Sequence, residues 1–281
     1  MKVNQMLRLA YNTNGFNCHS LESALEIISG LGYRGVAITI DNYILNPGAP
    51  DLDRQLELTQ AILKKNSLAC VIETGARFLL DPWRKHEPTL ISADASGRKI
   101  RLNFLKRALD IVARLGGQAL SFWSGIRHDG VPQADAWDWL VAGCRELSEY
   151  AGQYGIFLAF EPEPGMFIEN LTGYQKLKEH VANPLFGLTL DVGHAFLTED
   201  NSLANCIRNF RDSIKNIHLE DMKKGDHKHL QFGEGEIDFS EVFDALTEIQ
   251  YAGLINVELS RHSRNAVKAA GKAFDYLSKY L

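Results

Sequence analysis

Short apolar runs alternate with longer amphipathic ones along nearly the whole chain. Eight runs, at residues 7–11, 35–40, 69–73, 119–123, 156–160, 187–191, 214–219 and 254–259, have the length and apolar content of buried strands. Between them, windows at 21–31, 51–65, 99–115, 134–154, 171–181, 201–212 and 239–249, and a last one from 265, carry apolar residues at helical spacing. Ser20 and Asp51 sit where N-caps are expected, and Gly32, Gly116, Gly155 and Asn183 with Pro184 where helices stop. Strand followed by helix, eight times over, forces parallel strands and predicts an α/β fold, the (β/α)8 TIM barrel, as a single domain over residues 1–281. A doubly wound open sheet is the alternative. Residues 74–94 follow neither period, and a long irregular segment inside a compact domain is a candidate functional loop.

Alternation within each strand says which side chains share a face. Leu188 and Leu190 oppose Thr189 and Asp191; Leu158 and Phe160 oppose Phe157, Ala159 and Glu161. Ile217 and Leu219 oppose Asn216, His218 and Glu220, while Ile255, Val257 and Leu259 oppose Asn256 and Glu258. One row is apolar, as packing under helices requires; the other ends in ionisable groups at the C-terminal ends of strands, where barrel enzymes carry their sites. Glu161, Asp191, His218 and Glu258 are therefore predicted to converge, at gaps of 30, 27 and 40 residues that each match about one strand-helix unit. Such a cluster of carboxylates and an imidazole repels or neutralises itself unless a cation joins it. The donor set suits one divalent ion: Mn²⁺, Mg²⁺, Co²⁺ or Zn²⁺. Glu73 and Trp123, inward on the third and fourth strands, are candidate substrate contacts. The competing readings are a structural ion pair for Glu73 and barrel filling for Trp123.

The segments L-A-F-E-P at 158–162, L-D-V-G-H at 190–194, I-H-L-E-D at 217–221, G-E-G-E-I-D-F at 233–239 and I-N-V-E-L at 255–259 carry a family resemblance across essentially the whole chain. The sequence resembles the xylose-isomerase-like TIM-barrel superfamily of metal-dependent sugar isomerases and epimerases, which also includes inosose dehydratase and endonuclease IV. The resemblance implies one divalent metal held by Glu161, Asp191, His218 and Glu258, with Glu161 and Glu258 also the catalytic acid/base pair. It implies an isomerase or epimerase acting on a small sugar or polyhydroxy-ketone through a metal-stabilised enediolate. The alternative on the same scaffold is a dehydratase acting on an inosose-like substrate. His194 is expected to contact a substrate oxygen, against a core role. His227 and His229 form an H-x-H pair that resembles in position the D-x-H of endonuclease IV and is a further candidate for substrate, phosphate or a second metal. Where the epimerases carry an arginine six residues after the metal histidine, this chain has Lys224, which puts their substrate clamp in doubt. Glu163, in E-P-E-P-G, is read as shaping its loop or supporting the metal shell, not as a ligand.

Composition narrows the partners. The 281 residues carry 30 basic and 35 acidic side chains, a net charge of −5, with no basic run. Nucleic-acid binding, which rests on clustered cations, is not expected, and apurinic endonuclease activity falls with it because the third and fourth strands lack the needed histidines. Four scattered cysteines form no C-x-x-C pair and point to a reducing, cytoplasmic setting. No basic-then-apolar leader opens the chain and no run reaches about 18 apolar residues, so no membrane partner is expected. The expected partner is a carbohydrate-like small molecule, with a homo-oligomer left open. A non-catalytic sugar- or metal-binding protein is the rival from another class.

Overall fold

The computed structural model describes residues 7–281, so the residues on which the leader expectation rests lie outside the described ones. Eight described strands close into a barrel: β1 Arg8–Asn12, β2 Gly35–Thr39, β3 Ala69–Glu73, β4 Ala119–Phe122, β5 Phe157–Phe160, β6 Phe186–Asp191, β7 Ile214–Leu219 and, after an inserted hairpin of β8 Asp221–Lys223 and β9 Asp226–Leu230, β10 Leu254–Val257. Neighbours pair in parallel around the ring in the order β1, β10, β7, β6, β5, β4, β3, β2. Closure removes the open-sheet alternative. The connecting helices are α1 Leu21–Gly30, α2 Leu52–Lys65, α3 Ala95–Leu115, α4 Gln133–Gly152, α5 Leu171–Val181, the short α6 Val192–Thr198 and α7 Leu203–Asn209, α8 Phe239–Glu248 and α9 Ala266–Leu277. Among the described residues no helix is long and apolar enough to cross a membrane.

The two faces of each strand meet different surroundings. Leu158, Phe160, Leu188, Leu190, Ile217, Leu219, Ile255 and Val257 belong to one large buried cluster shared with the helices. Small side chains, Ala10, Ala37, Val71, Ala119 and Ala159, form a separate cluster with Leu254. They fill the narrow end of the barrel interior, where opposing strands leave no room for long side chains. Above them lie the buried polar side chains Ser121, Thr189, Asn216 and Asn256. Thr189 Oγ1 donates to Ser121 Oγ at 2.9 Å, and Asn256 Nδ2 donates to Asn216 Oδ1 at 2.7 Å. The interior thus grades from apolar to polar toward the C-terminal mouth.

Local chemistry moved several boundaries. Ser20 caps α1 through Ser23 N, as expected. Asp51 occupies the N-cap position of α2 but makes no capping bond; it accepts from Gln55 Nε2 at 3.2 Å. The helix expected from 99 begins at Ala95, because the Asp94 carboxylate accepts from Ser96 N and Gly97 N. The loop after the seventh strand is a hairpin stapled by buried Asp221, whose carboxylate accepts from the backbone N–H of Met222, Gly233, Gly235 and Ile237 at 2.9–3.2 Å. A Cβ at Gly235 would run into that carboxylate. This close approach accounts for the glycines of G-E-G-E-I as scaffold.

Candidate active site

β5, β6, β7 and β10 each deliver one ionisable side chain to the mouth. Asp191 pairs with His218 across β6 and β7, which sets those two side chains together, and His218 pairs with Asn256, two residues before Glu258, across β7 and β10. Glu258 continues β10 through its N–H to Leu219 O at 2.9 Å, and Glu161 continues β5 through its N–H to Phe122 O at 2.8 Å. His218 Nδ1 lies 3.1 Å from Glu161 Oε1, 2.9 Å from Glu258 Oε2 and 3.9 Å from Asp191 Oδ2. Each of the four residues has a ligand-type atom within 4.8 Å of the others'.

Asp191 is divided between two tasks. Its Oδ1 accepts from His194 N at 2.7 Å, capping α6, a helix absent from the sequence reading. Its Oδ2 is buried with no hydrogen-bond partner. A buried carboxylate oxygen left unpaired is costly, and an oxygen orphaned beside two glutamates and an imidazole is what a cation position requires. The four donors fit a divalent ion on this ground.

Burial and mutual charge drive the carboxyls apart. Burial, reinforced by Glu258 and Asp191, pushes Glu161 well above the usual carboxylate range. Burial also acts on Glu258 and Asp191, but imidazoles outweigh it: His218 and His229, with Asn14, hold Glu258 low, and His194, His229 and His218 hold Asp191 low. On His218 burial is overcome by Glu73, Glu161 and Glu258, and the ring is held well above its ordinary value. His218 Nε2 faces Glu73 Oε1 at 2.9 Å, and the same oxygen accepts from Asn216 Nδ2 at 3.0 Å. Glu73, expected as a substrate contact, lines the cavity but spends one oxygen on this network.

The cavity over this cluster has a volume of about 320 Å³. His194, His227, His229 and Trp123 also line it, so every residue expected from the sequence to be a ligand or substrate contact, except Asp191, reaches its wall. His194 Nδ1 donates to Pro162 O at 3.3 Å, leaving Nε2 toward His227 Nε2 at 2.9 Å. Burial pulls His194 down to about 4, so the ring is neutral. His229 Nδ1 donates to Glu258 O at 3.0 Å. Trp123 is 7% exposed, with the Arg101 guanidinium 4.5 Å from its ring and His86 against its edge. Lys224 is outside the cavity wall, its Nζ donating to Phe196 O on α6 at 2.5 Å.

Sequence reasoning passed over Asn14 and left Glu163 without a place in the cavity. Asn14, in the 3-10 turn after β1, donates from Nδ2 to Glu258 Oε1 at 2.7 Å. Its signal was weak: a polar residue just beyond a strand. Glu163 was read as shaping its loop or supporting the metal shell, and its side chain lines the cavity. It is presented by the turn Glu163-Pro164-Gly165-Met166, closed by Met166 N to Glu163 O at 3.0 Å with Gly165 at φ 83°. Proline at the second position and glycine at the third are what a type II turn demands. The turn is pinned to the β4–α4 connection by Phe167 N to Gly125 O and Ile168 N to Ser124 Oγ. Burial, with Glu258 and Asp191 nearby, pushes the Glu163 carboxyl up to about 7.

The barrel with a carboxylate-histidine cluster at its C-terminal mouth is the architecture of a known class. Residues 12–280 match the xylose isomerase-like TIM barrel family, and the chain belongs to it. It is 29% identical over 164 residues to inosose dehydratase of Halalkalibacterium halodurans, a match covering 52% of this chain and 54% of the relative. The chain spans about half the length of the curated relatives it matches. Among solved structures it is similar to D-allulose 3-epimerase from Methylomonas sp. (TM-score 0.78, 20% identity, 99% of each chain). It is likewise similar to the IOLI protein, solved with a bound zinc atom (TM-score 0.79, 19% identity, 98% of this chain and 99% of that one). At these identities the likeness speaks for the barrel.

Proposed function

We propose that the protein is a divalent-metal-dependent enzyme that isomerises or epimerises a small sugar or polyhydroxy-ketone by moving a proton at a carbon next to a carbonyl. Glu161, Asp191, His218 and Glu258 would hold the ion. When bound, it supplies electrostatic stabilisation for the charge that builds on the carbonyl oxygen as the neighbouring carbon loses its proton. The observation that carries the reading is the pair Glu161 and Glu258. They extend β5 and β10, three places apart around the ring, and approach the same His218 nitrogen at 3.1 and 2.9 Å. Their environments push them in opposite directions, Glu161 toward holding a proton and Glu258 toward giving one up. That split belongs to the metal-free protein; what supports proton transfer in the loaded enzyme is two carboxylates facing one centre, where one can take a proton and the other return it. Glu73 orients His218, and neutral His194 meets substrate oxygens from the cavity wall together with His227 and His229.

A dehydratase is the second reading, and Glu163 favours it. Its side chain reaches the cavity without a side-chain hydrogen bond, as an acid protonating a departing β-hydroxyl needs, and inosose dehydratases are among the relatives this chain matches in sequence. Incubation of the metal-loaded enzyme in deuterated solvent with ketoses and inososes separates the readings. Deuterium next to the carbonyl without loss of water supports isomerisation or epimerisation, and loss of water supports elimination. Neither with any member of the panel overturns both.

A further inference from the structure

Glu220 is left unused by that chemistry. It follows β7 between Leu219 and Asp221, its side chain is fully buried, and neither carboxylate oxygen has a hydrogen-bond partner. Space is kept for it: a Cβ on Gly193 would run into Glu220 Oε1. Burial most of all, then Asp191, which is within hydrogen-bonding reach, and Glu258 push its carboxyl well above the usual range, against the imidazole of His218. A carboxyl whose only near partners are other acids, shut away from water, lacks what normally stabilises a carboxylate.

His229 turns toward this carboxylate, its Nδ1 4.0 Å from Glu220 Oε2. Glu220, His229 and Glu258 each bring a ligand-type atom within 4.8 Å of the others'. The Glu258 carbonyl, 3.0 Å from His229 Nδ1, places a further oxygen at the same spot. His229 and Glu258 line the cavity, and Glu220 lies behind them, outside its wall.

We propose that Glu220, His229 and Glu258 form a second divalent-cation site beside the four-residue centre, with Glu258 shared between the two ions. Two carboxylates and one imidazole suit Mn²⁺, Co²⁺ or Zn²⁺. The inference goes beyond the proposed reaction and rests on it only where Glu258 also serves the first ion.

Each candidate set has a residue of its own, which makes the assignment testable by stoichiometry. Asp191 belongs only to the four-residue centre, Glu220 only to the new site, and His227 only to the cluster of His194, His227 and His229. Chelator-stripped full-length protein is titrated with Mn²⁺ and separately with Zn²⁺, and bound metal is counted by calorimetry and elemental analysis. The wild type is expected to take two ions per chain, Glu220→Gln one, and His227→Ala two. A single ion in the wild type, or two retained by Glu220→Gln, overturns the proposal. So does loss of the second ion in His227→Ala but not in Glu220→Gln, which moves it to the histidine cluster. Asp191→Asn reports on the first ion alone, so failure of the four-residue centre is read separately. If Glu220→Gln does not fold, anomalous diffraction from Mn²⁺-soaked wild-type crystals decides: a peak bonded to Glu220 supports the site, and a peak only among Glu161, Asp191, His218 and Glu258 overturns it.

Discussion

Glu73 Oε1 stands 2.9 Å from Nε2 of His218, on the opposite side of the ring from Glu161 and Glu258. A carboxylate there fixes which ring nitrogen carries the proton and aims the other at the cluster. Glu73→Gln is accordingly expected to weaken divalent-ion affinity about 10–100-fold while leaving the four proposed ligands in place. Competition against a fluorescent chelator measures this; unchanged affinity would return Glu73 to the role of a substrate contact.

The same ring predicts proton release. His218 is held well above its ordinary value, so the metal-free protein keeps it protonated at neutral pH. An ion taken up by Nδ1 must displace that proton. At least one proton per ion is expected at pH 7, and a second where Glu161 also gives one up, with affinity rising as pH rises. Calorimetry in buffers of different ionisation enthalpy reads the number directly. No release would mean that His218 is not a ligand.

Glu163 separates a substrate-facing role from a loop-shaping one. Glu163→Gln preserves the turn, whose closing bonds are main-chain. Once a turning-over substrate is found, the variant is expected to lose about tenfold or more in kcat/KM. It should also lose the limb of the pH profile that belongs to this carboxyl, which burial raises above the usual range. Metal content should stay the same. Full activity with an unchanged profile would confine Glu163 to its loop.

Asp221 should behave as scaffold. Its removal orphans four backbone donors at once, and Asp221→Ala is expected to cost roughly 2–4 kcal/mol. Urea unfolding measures the loss; an effect within error would show that the hairpin reorganises without penalty.

His86 gives a pH effect on stability. Burial is the largest influence on it and takes it from 6.5 to about 4, against the raising effect of its hydrogen bond to Gly75 O. Between those values the unfolded chain binds a proton that the folded protein refuses, so stability falls as pH drops from 6.5 toward 4 and is level above 6.5. Allowing for partial exposure, the contribution is about 1–2 kcal/mol. Buried His194 acts in the same direction. His86→Phe should flatten the slope of the urea midpoint between pH 7 and 5; a slope unchanged from wild type would refute the assignment.

The barrel was legible in the sequence because its two constraints are local. Period-two alternation marks which residues of a strand lie under helices, and repeated strand-helix order permits parallel closure. The same alternation pointed Glu161, Asp191, His218 and Glu258 inward at the strand ends. What the chain order could not state is how side chains from different strands divide their bonds. Glu73 and His218 are 145 residues apart, and only closure of the ring puts one carboxylate behind the other's imidazole. Asp191 looked like a ligand from its strand, but the splitting of its two oxygens between the α6 cap and the cluster depends on a helix that begins one residue later. Glu163 was left between two roles for a related reason. A residue beyond the strand end has no alternation to orient it, and its direction is fixed by a pinned turn against another loop. Periodicity determined the scaffold and the inward rows; tertiary closure decided which polar atoms are paired, which are orphaned, and so where a cation can sit.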